Sequence, residues 1–290
     1  MNTYSFDMND VLTRVSGSSL RGHLELRCET RSNGDSYISH QSFSSPIHLG
    51  KSYIDQGKLV LNIVNPTAGF FDGDVVQSAV SVGKHGQLVL STPSAARVYR
   101  TRSGAAAANK QVFHIDENAF MEWIPEPFIP HAGARYVQET TIHLHPTANL
   151  LYFDWLAPGR VAMGEVFAYQ KLEWKLDLYV SEKLITRERY HLQPSDHSLE
   201  SLKAKFPEAH YLSAYISGMK ISDSLITSLD DLNTENIHLG HGSVSNNIYI
   251  IRALCANSLT TRKLLEKLRA IIYTSFDSKA PNLGKITSDS

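Results

Sequence analysis

Along most of this chain apolar and polar side chains alternate with a period of two. The pattern is clear over residues 21–30, where Leu24, Leu26 and Cys28 interleave with His23, Glu25, Arg27 and Glu29. It returns at 87–92, 111–115, 140–145, 149–155 and 167–180. Period two puts successive side chains on opposite faces of a strand, so each segment predicts a β-strand. Residues 59–64 and 75–82 are apolar runs of the same character, and 248–251 reads as a further strand. Gly, Pro and Asn punctuate these segments at spacings of about ten residues, which predicts a large, antiparallel, mainly β architecture. A period near 3.6 appears only late. It predicts short helices within 195–205 and 222–232 and a C-terminal helix over 258–275, with Ser258 or Thr260 as N-cap. In the last, Leu264, Leu265, Leu268, Ile271 and Ile272 form the apolar stripe, while Arg262, Lys263, Lys267 and Arg269 read as a solvated basic face. Residues 276–290 lack any such pattern and are expected to be a mobile tail.

The connection between the strands at 59–64 and 75–82 is the most unusual stretch. Pro66 fixes φ, while Gly69 and Gly73 give access to positive φ, as a turn requires. Asp72 and Asp74 then read as turn formers, and Asp74→Ala at a surface turn is expected to cost about 0.5 kcal/mol or less. Phe70 and Phe71 do not suit a turn in water, so the loop is expected to be pinned under or between sheets. Gly240, His241, Gly242 and Ser243 read as a second turn.

Glu122 and Glu165 lie inside apolar stretches, where a carboxylate must be paired or hydrated. Arg160 is the evident partner for one of them. One arginine does not readily satisfy two separate acids, so both are expected to face an internal, water-filled passage. The same two carboxylates leave open a β-fold carbohydrate hydrolase using a general acid and base. A plain interaction module with structural acids is the third reading. His143 and His145 would share one strand face, a spacing that suits a Zn, Ni or Cu ion.

Composition narrows these options. The formal net charge is -1, with 28 Lys plus Arg against 29 Asp plus Glu, so no global field favours nucleic acid or an acidic membrane. Cys28 and Cys255 are the only two cysteines, which argues against a disulfide framework and for a reducing cytoplasm. No secretory signal pattern, no membrane span, no GxxxxGK[ST] phosphate loop, no GxSxG elbow and no HExxH pair are found in the sequence.

Four motifs in order carry a resemblance. They are residues 65–74, residues 91–100 ending in Arg97-Val98-Tyr99-Arg100, residues 122–129 with Ala134, and Gly159-Arg160 with Gly164-Glu165-Val166-Phe167. The chain resembles the UreD (UreH) family of urease accessory proteins, collinearly over about residues 20–275 of a single domain spanning 1–290. Ala68 and Asp72 stand where that family usually has glycines, and 281–284 departs from its closing segment. The resemblance implies an all-β, stacked, β-helix-like fold with a few helices, and a scaffold for nickel insertion without catalysis of its own. It implies a cytoplasmic protein that binds apo-urease and UreF, in a dimer of heterodimers with UreF. UreF recruits the GTPase UreG, so GTP belongs to the partner and nickel(II) passes only transiently. Asp74, Glu122 and Glu165 become candidate transient ligands, supported by Gly69, Gly73, Arg160 and Tyr99. Leu264, Leu268 and Ile271, with the tail, become the candidate surface for UreF.

Overall fold

The computed structural model describes residues 19–284 apart from 197, 198 and 246. The first strands are β1 (Arg21–Thr30), β2 (Ser36–Phe43), β3 (His48–Leu49), β4 (Tyr53–Asp55), β5 (Lys58–Val64), β6 (Val75–Val82) and β7 (Gln87–Ser91). Then come β8 (Ala96–Val98), β9 (Ala107–Ile115), β10 (Phe120–Ile124), β11 (Phe128–Pro130), β12 (Arg135–Leu144), β13 (Asn149–Leu156), β14 (Gly159–Arg160) and β15 (Glu165–Val166). β16 (Lys171–Val180), β17 (Lys183–Leu192), α1 (Glu200–Lys205), β18 (His210–Ser217), α2 (Asp223–Asp230), β19 (Ile237–Ser243), β20 (Ile248–Cys255) and α3 (Ser258–Ser275) complete the order.

From β5 onward the chain changes sheet at almost every long strand. β6, β9, β12 and β16 lie side by side in a seven-stranded sheet, while β5, β7, β10 and β13 lie side by side in an eleven-stranded one. Each pass stacks in parallel on the one before, for example Val75 beside Ala108 and Leu59 beside Leu88. The result is the expected mainly β, solenoid-like stack, but its central pairing is parallel. The expected antiparallel pairing holds mainly toward the ends, for example at β1–β2, β16–β17, β13–β18 and β18–β20. Alternation reports one buried face and says nothing about a neighbour's direction. The short links between these strands carry the chain across to the other sheet.

The layers explain the apolar patterns. Leu24, Leu26, Leu88, Leu90, Phe113 and Ile142 fill the space between the sheets. On the far side of the larger sheet, Val60, Val89, Leu151 and Phe153 pack against Leu264, Leu268 and Ile272 of α3. Strands β5 and β13 are thus covered on both faces, which is why they read as nearly continuous apolar runs. The outer face of the smaller sheet is polar and carries Glu139 between Lys110 and Lys175, at 3.4 and 3.0 Å.

Helix α3 has the predicted bounds, but Asn257 caps it by accepting from the Thr260 amide. Gly240 to Ser243 belong to strand β19 and not to a turn, with Gly240 opposite Arg252. The C-terminal segment is held down as far as it is described. Tyr53 Oη donates to the Asn282 carbonyl at 2.6 Å, Asp55 accepts from the Asn282 amide at 2.6 Å, and Ala280 and Leu283 pack on the helix layer. The expected mobile tail is therefore wrong for 276–284, and 285–290 lie outside the described residues. Among the described residues no helix is long and apolar enough to cross a membrane.

Candidate functional site

The four motifs meet on one narrow side of the stack. Phe70 bridges in parallel to Val98, β8 pairs with β11 so that Val98 lies beside Pro130, and Phe128 of β11 lies beside Leu156. The hairpin of β14 and β15 closes this side, with Arg160 opposite Glu165. Gly69 and Gly159 occupy corners of this side with the same φ of 142°. A Cβ at Gly69 would lie 2.4 Å from the Arg97 carbonyl oxygen, and one at Gly159 2.1 Å from that of Glu165. Only glycine allows both the dihedral and the close approach. Gly73 turns the loop with φ 69°.

The loop's side chains divide between core and surface. Phe70 is buried against Tyr136, whereas Phe71 is 49% exposed and stacks on Tyr99 at 4.6 Å. The expected pinning therefore holds for the first phenylalanine only. Asp74 is buried, and its two oxygens accept from the amides of Leu20 and Phe71, each at 2.8 Å. Asp72 Oδ2 accepts from the amides of Arg102 and Ser103. Burial opposes ionisation of Asp72, but those amide hydrogen bonds outweigh it and hold its pKa below the usual range.

Glu122 and Glu165 are not neighbours sharing a passage. Glu122, with no exposed surface, points from β10 into the helix layer. There it receives Arg269 Nε at 2.6 Å, Arg269 Nη2 at 2.9 Å and Tyr273 Oη at 2.7 Å. Glu165 receives Arg160 Nε at 2.8 Å and the Ala132 amide at 3.0 Å. The Arg160 fork, then the Ala132 amide, hold its pKa at about 2. Each acid thus has its own arginine, so the premise of one arginine for two acids fails: the second lay far along the chain. The two carboxylates that the hydrolase reading would pair are engaged separately, Glu122 by Arg269 and Tyr273 and Glu165 by Arg160.

The remaining candidates also separate. His145 lies past the end of β12 with Nδ1 2.9 Å from Thr147 Oγ1, while His143 stacks on His114 of β9 at 4.7 Å. Among the described residues no group of three or more His, Cys, Asp or Glu side chains is placed to hold a metal ion. Leu264 and Leu268 are buried in the core, and Ile271 packs against it, so this stripe is covered by the protein itself and is not an open face for a partner. Two of the supposedly solvated cations face inward as well: Arg262 forks Glu126 at 3.0 and 2.5 Å, and Arg269 forks Glu122.

Inside the stack, next to the four-motif side, is a cavity of about 190 Å³. Its inner wall holds Asn109, Gln111, Gln138 and Asp154, and exposed residues of the loops, among them Thr67, Ser94 and Arg97, form its outer end. Gln138 links Tyr136 Oη to Gln111, each at 2.7 Å. Asp154 receives Tyr152 Oη at 3.3 Å and Trp174 Nε1 at 3.2 Å, and neither donor is a cation. Burial raises its pKa to about 7, partly offset by those two donors. Asn109 Oδ1 is buried without a hydrogen-bond partner. Sequence reading passed over Asp154. Its signal was a lone charge within the apolar run of β13, on the same strand face as Tyr152.

A sequence model of the UreD urease accessory protein family matches residues 20–287. The urease accessory protein UreD of Opitutus terrae is 31% identical over 259 residues, covering 88% of this chain and 95% of that protein. The protein of the same name from a bovine strain of Staphylococcus aureus is 26% identical over 246 residues, covering 83% of this chain and 87% of that protein.

Proposed function

Because this chain belongs to the family of UreD urease accessory proteins, we propose that it acts in urease maturation as the scaffold through which nickel(II) reaches the enzyme. The observation that supports this reading is the polar cavity between the sheets, with Asp154 and the unpartnered Asn109 Oδ1 in its wall. Nickel(II) accepts oxygen ligands, and isolated oxygen donors hold it weakly enough to release it. The route differs from the one expected through Asp74, Glu122 and Glu165. Backbone amides occupy Asp74, and arginines occupy the other two, so each would have to give up its partners to meet an ion. Asp154 instead carries only two long hydrogen bonds from neutral donors, Tyr152 Oη and Trp174 Nε1. In this reading the chain itself catalyses no reaction, holds no resident cofactor and works in the cytoplasm. It binds apo-urease and UreF in a dimer of heterodimers, while UreG, recruited by UreF, hydrolyses GTP.

Asp154→Asn tests the reading. Urease matured with this variant should carry several-fold less nickel, while the variant still co-purifies with UreF and urease. Normal nickel content in that urease would overturn the assignment.

A further inference from the structure

A second concavity, of about 490 Å³, lies on the four-motif side and is walled by Arg97, Tyr99, Ile129, His131, Arg160 and Met163. Arg97 also stands at the outer end of the interior cavity, so the two spaces adjoin.

Three observations point to an occupant. First, His131 is 5% exposed and its Nε2 makes no hydrogen bond. Burial, with Arg160 and Arg97 nearby, lowers its pKa, so the ring is neutral with a polar atom unserved. Second, the Tyr99 ring lies between His131 at 4.5 Å and Phe71 at 4.6 Å. With Phe71 49% and Met163 68% exposed, the groove has an apolar, partly aromatic rim. Third, the side is cationic. Arg97, Arg100 and Arg102 are exposed, whereas the local acids are largely engaged, Glu165 by Arg160 and Asp72 by the amides of Arg102 and Ser103. Glu208 is the one acid in the wall itself, against Arg97 and Arg160, while Arg100 and Arg102 add charge on the same side beyond the wall.

We propose that this groove seats an acidic, apolar-tipped segment of the urease apoprotein, an inference that rests on the maturation role above. Carboxylates of that segment pair with Arg97 and its neighbours, an aliphatic side chain packs on Tyr99 and Met163, and a polar group meets His131 Nε2. A consequence follows for the cavity. Free arginine charge at its outer end repels a divalent cation, and an acidic partner cancels that charge. The opening then favours passage of nickel only while the recipient is docked.

The test measures affinity of the full-length chain for purified apo-urease, and separately for UreF, in wild type, Arg97→Glu, Arg97→Lys and Met163→Asp. Positions 97 and 163 are exposed, and a melting curve verifies that each variant is folded. Arg97→Glu and Met163→Asp should each weaken apo-urease binding at least tenfold. Arg97→Lys should weaken it far less, wild-type affinity should fall with added salt, and UreF affinity should not change. Unchanged apo-urease binding by both disruptive variants, or a loss confined to UreF, overturns this inference alone. No binding of apo-urease by the wild-type chain overturns the maturation reading and this inference with it.

Discussion

Asp154 and Glu165 are both carboxylates near the same side of the stack, yet their surroundings drive them in opposite directions. Arg160 holds Glu165 at about 2, while burial raises Asp154 to about 7. For Asp154 the folded state favours the protonated form. Its contribution to stability is therefore complete below the ordinary aspartate value of 3.8 and is lost as pH rises through about 7. Asp154→Asn has no proton to lose there. It should be more stable than wild type at pH 8, on the order of a few kcal/mol, with the gap shrinking as pH falls toward 4. Urea melts at pH 5 and pH 8 measure this, and a gap independent of pH would show that Asp154 does not titrate in that interval. Asp74 is a second case where placement changes the expectation. As a surface turn residue it would tolerate alanine, but both its oxygens accept part-buried amide donors. Leaving those unserved should make Asp74→Ala cost about 2 kcal/mol or more, with Asn intermediate because it keeps one acceptor oxygen. Chemical denaturation decides between that figure and a near-neutral change.

Helix α3 shows what the sequence discloses about an element and what it withholds. Its bounds and its apolar stripe were legible from the 3.6 period, because every turn that packs on the larger sheet needs an apolar contact there. The role of Arg262 and Arg269 was not legible, since a charge on a helix looks solvated until its partner is known. Here the partners, Glu126 and Glu122, lie 136 and 147 positions away. Glu122 is wholly buried, so removing Arg269 alone strands its charge. Arg269→Leu should destabilise by about 3–5 kcal/mol, whereas Arg269→Leu combined with Glu122→Leu should recover much of the loss. A double-mutant cycle measures the coupling, and additive effects would show that the fork contributes nothing of its own. The C-terminal segment was misread for a related reason. It has no periodicity, yet its backbone reaches Tyr53, Asp55 and Arg269. Ending the chain after Ser275 should lower the melting temperature, because that cut removes those contacts.

At the scale of the whole molecule, the strands were legible but the winding was not. Alternation located β1, β9, β12 and β16, an apolar run located β6, and the four motifs were already in order along the chain. That their order means vertical stacking on one side becomes visible only once β8 is seen to pair with β11 and Phe70 with Val98. The winding also creates the interior. Two sheets that converge on large aromatic residues elsewhere leave room where their inward positions are small or polar, as at Ser78, Asn109, Gln111 and Gln138. If nickel travels through that room, the route should be blocked by volume as well as by chemistry. Ser78 lines the cavity from β6 and carries no proposed ligand role. Ser78→Phe should fill part of the cavity, which is large enough to accept a ring with little disturbance of the surrounding strands. Stability should change by no more than about 1–3 kcal/mol, and the proposed binding to UreF and apo-urease through the outer surface should persist. Urease from cells carrying this variant should nevertheless contain several-fold less nickel, although no charge has been altered. A folded Ser78→Phe protein that still yields fully loaded urease would place the ion's path outside the stack, and Asp154 would then be a structural acid alone.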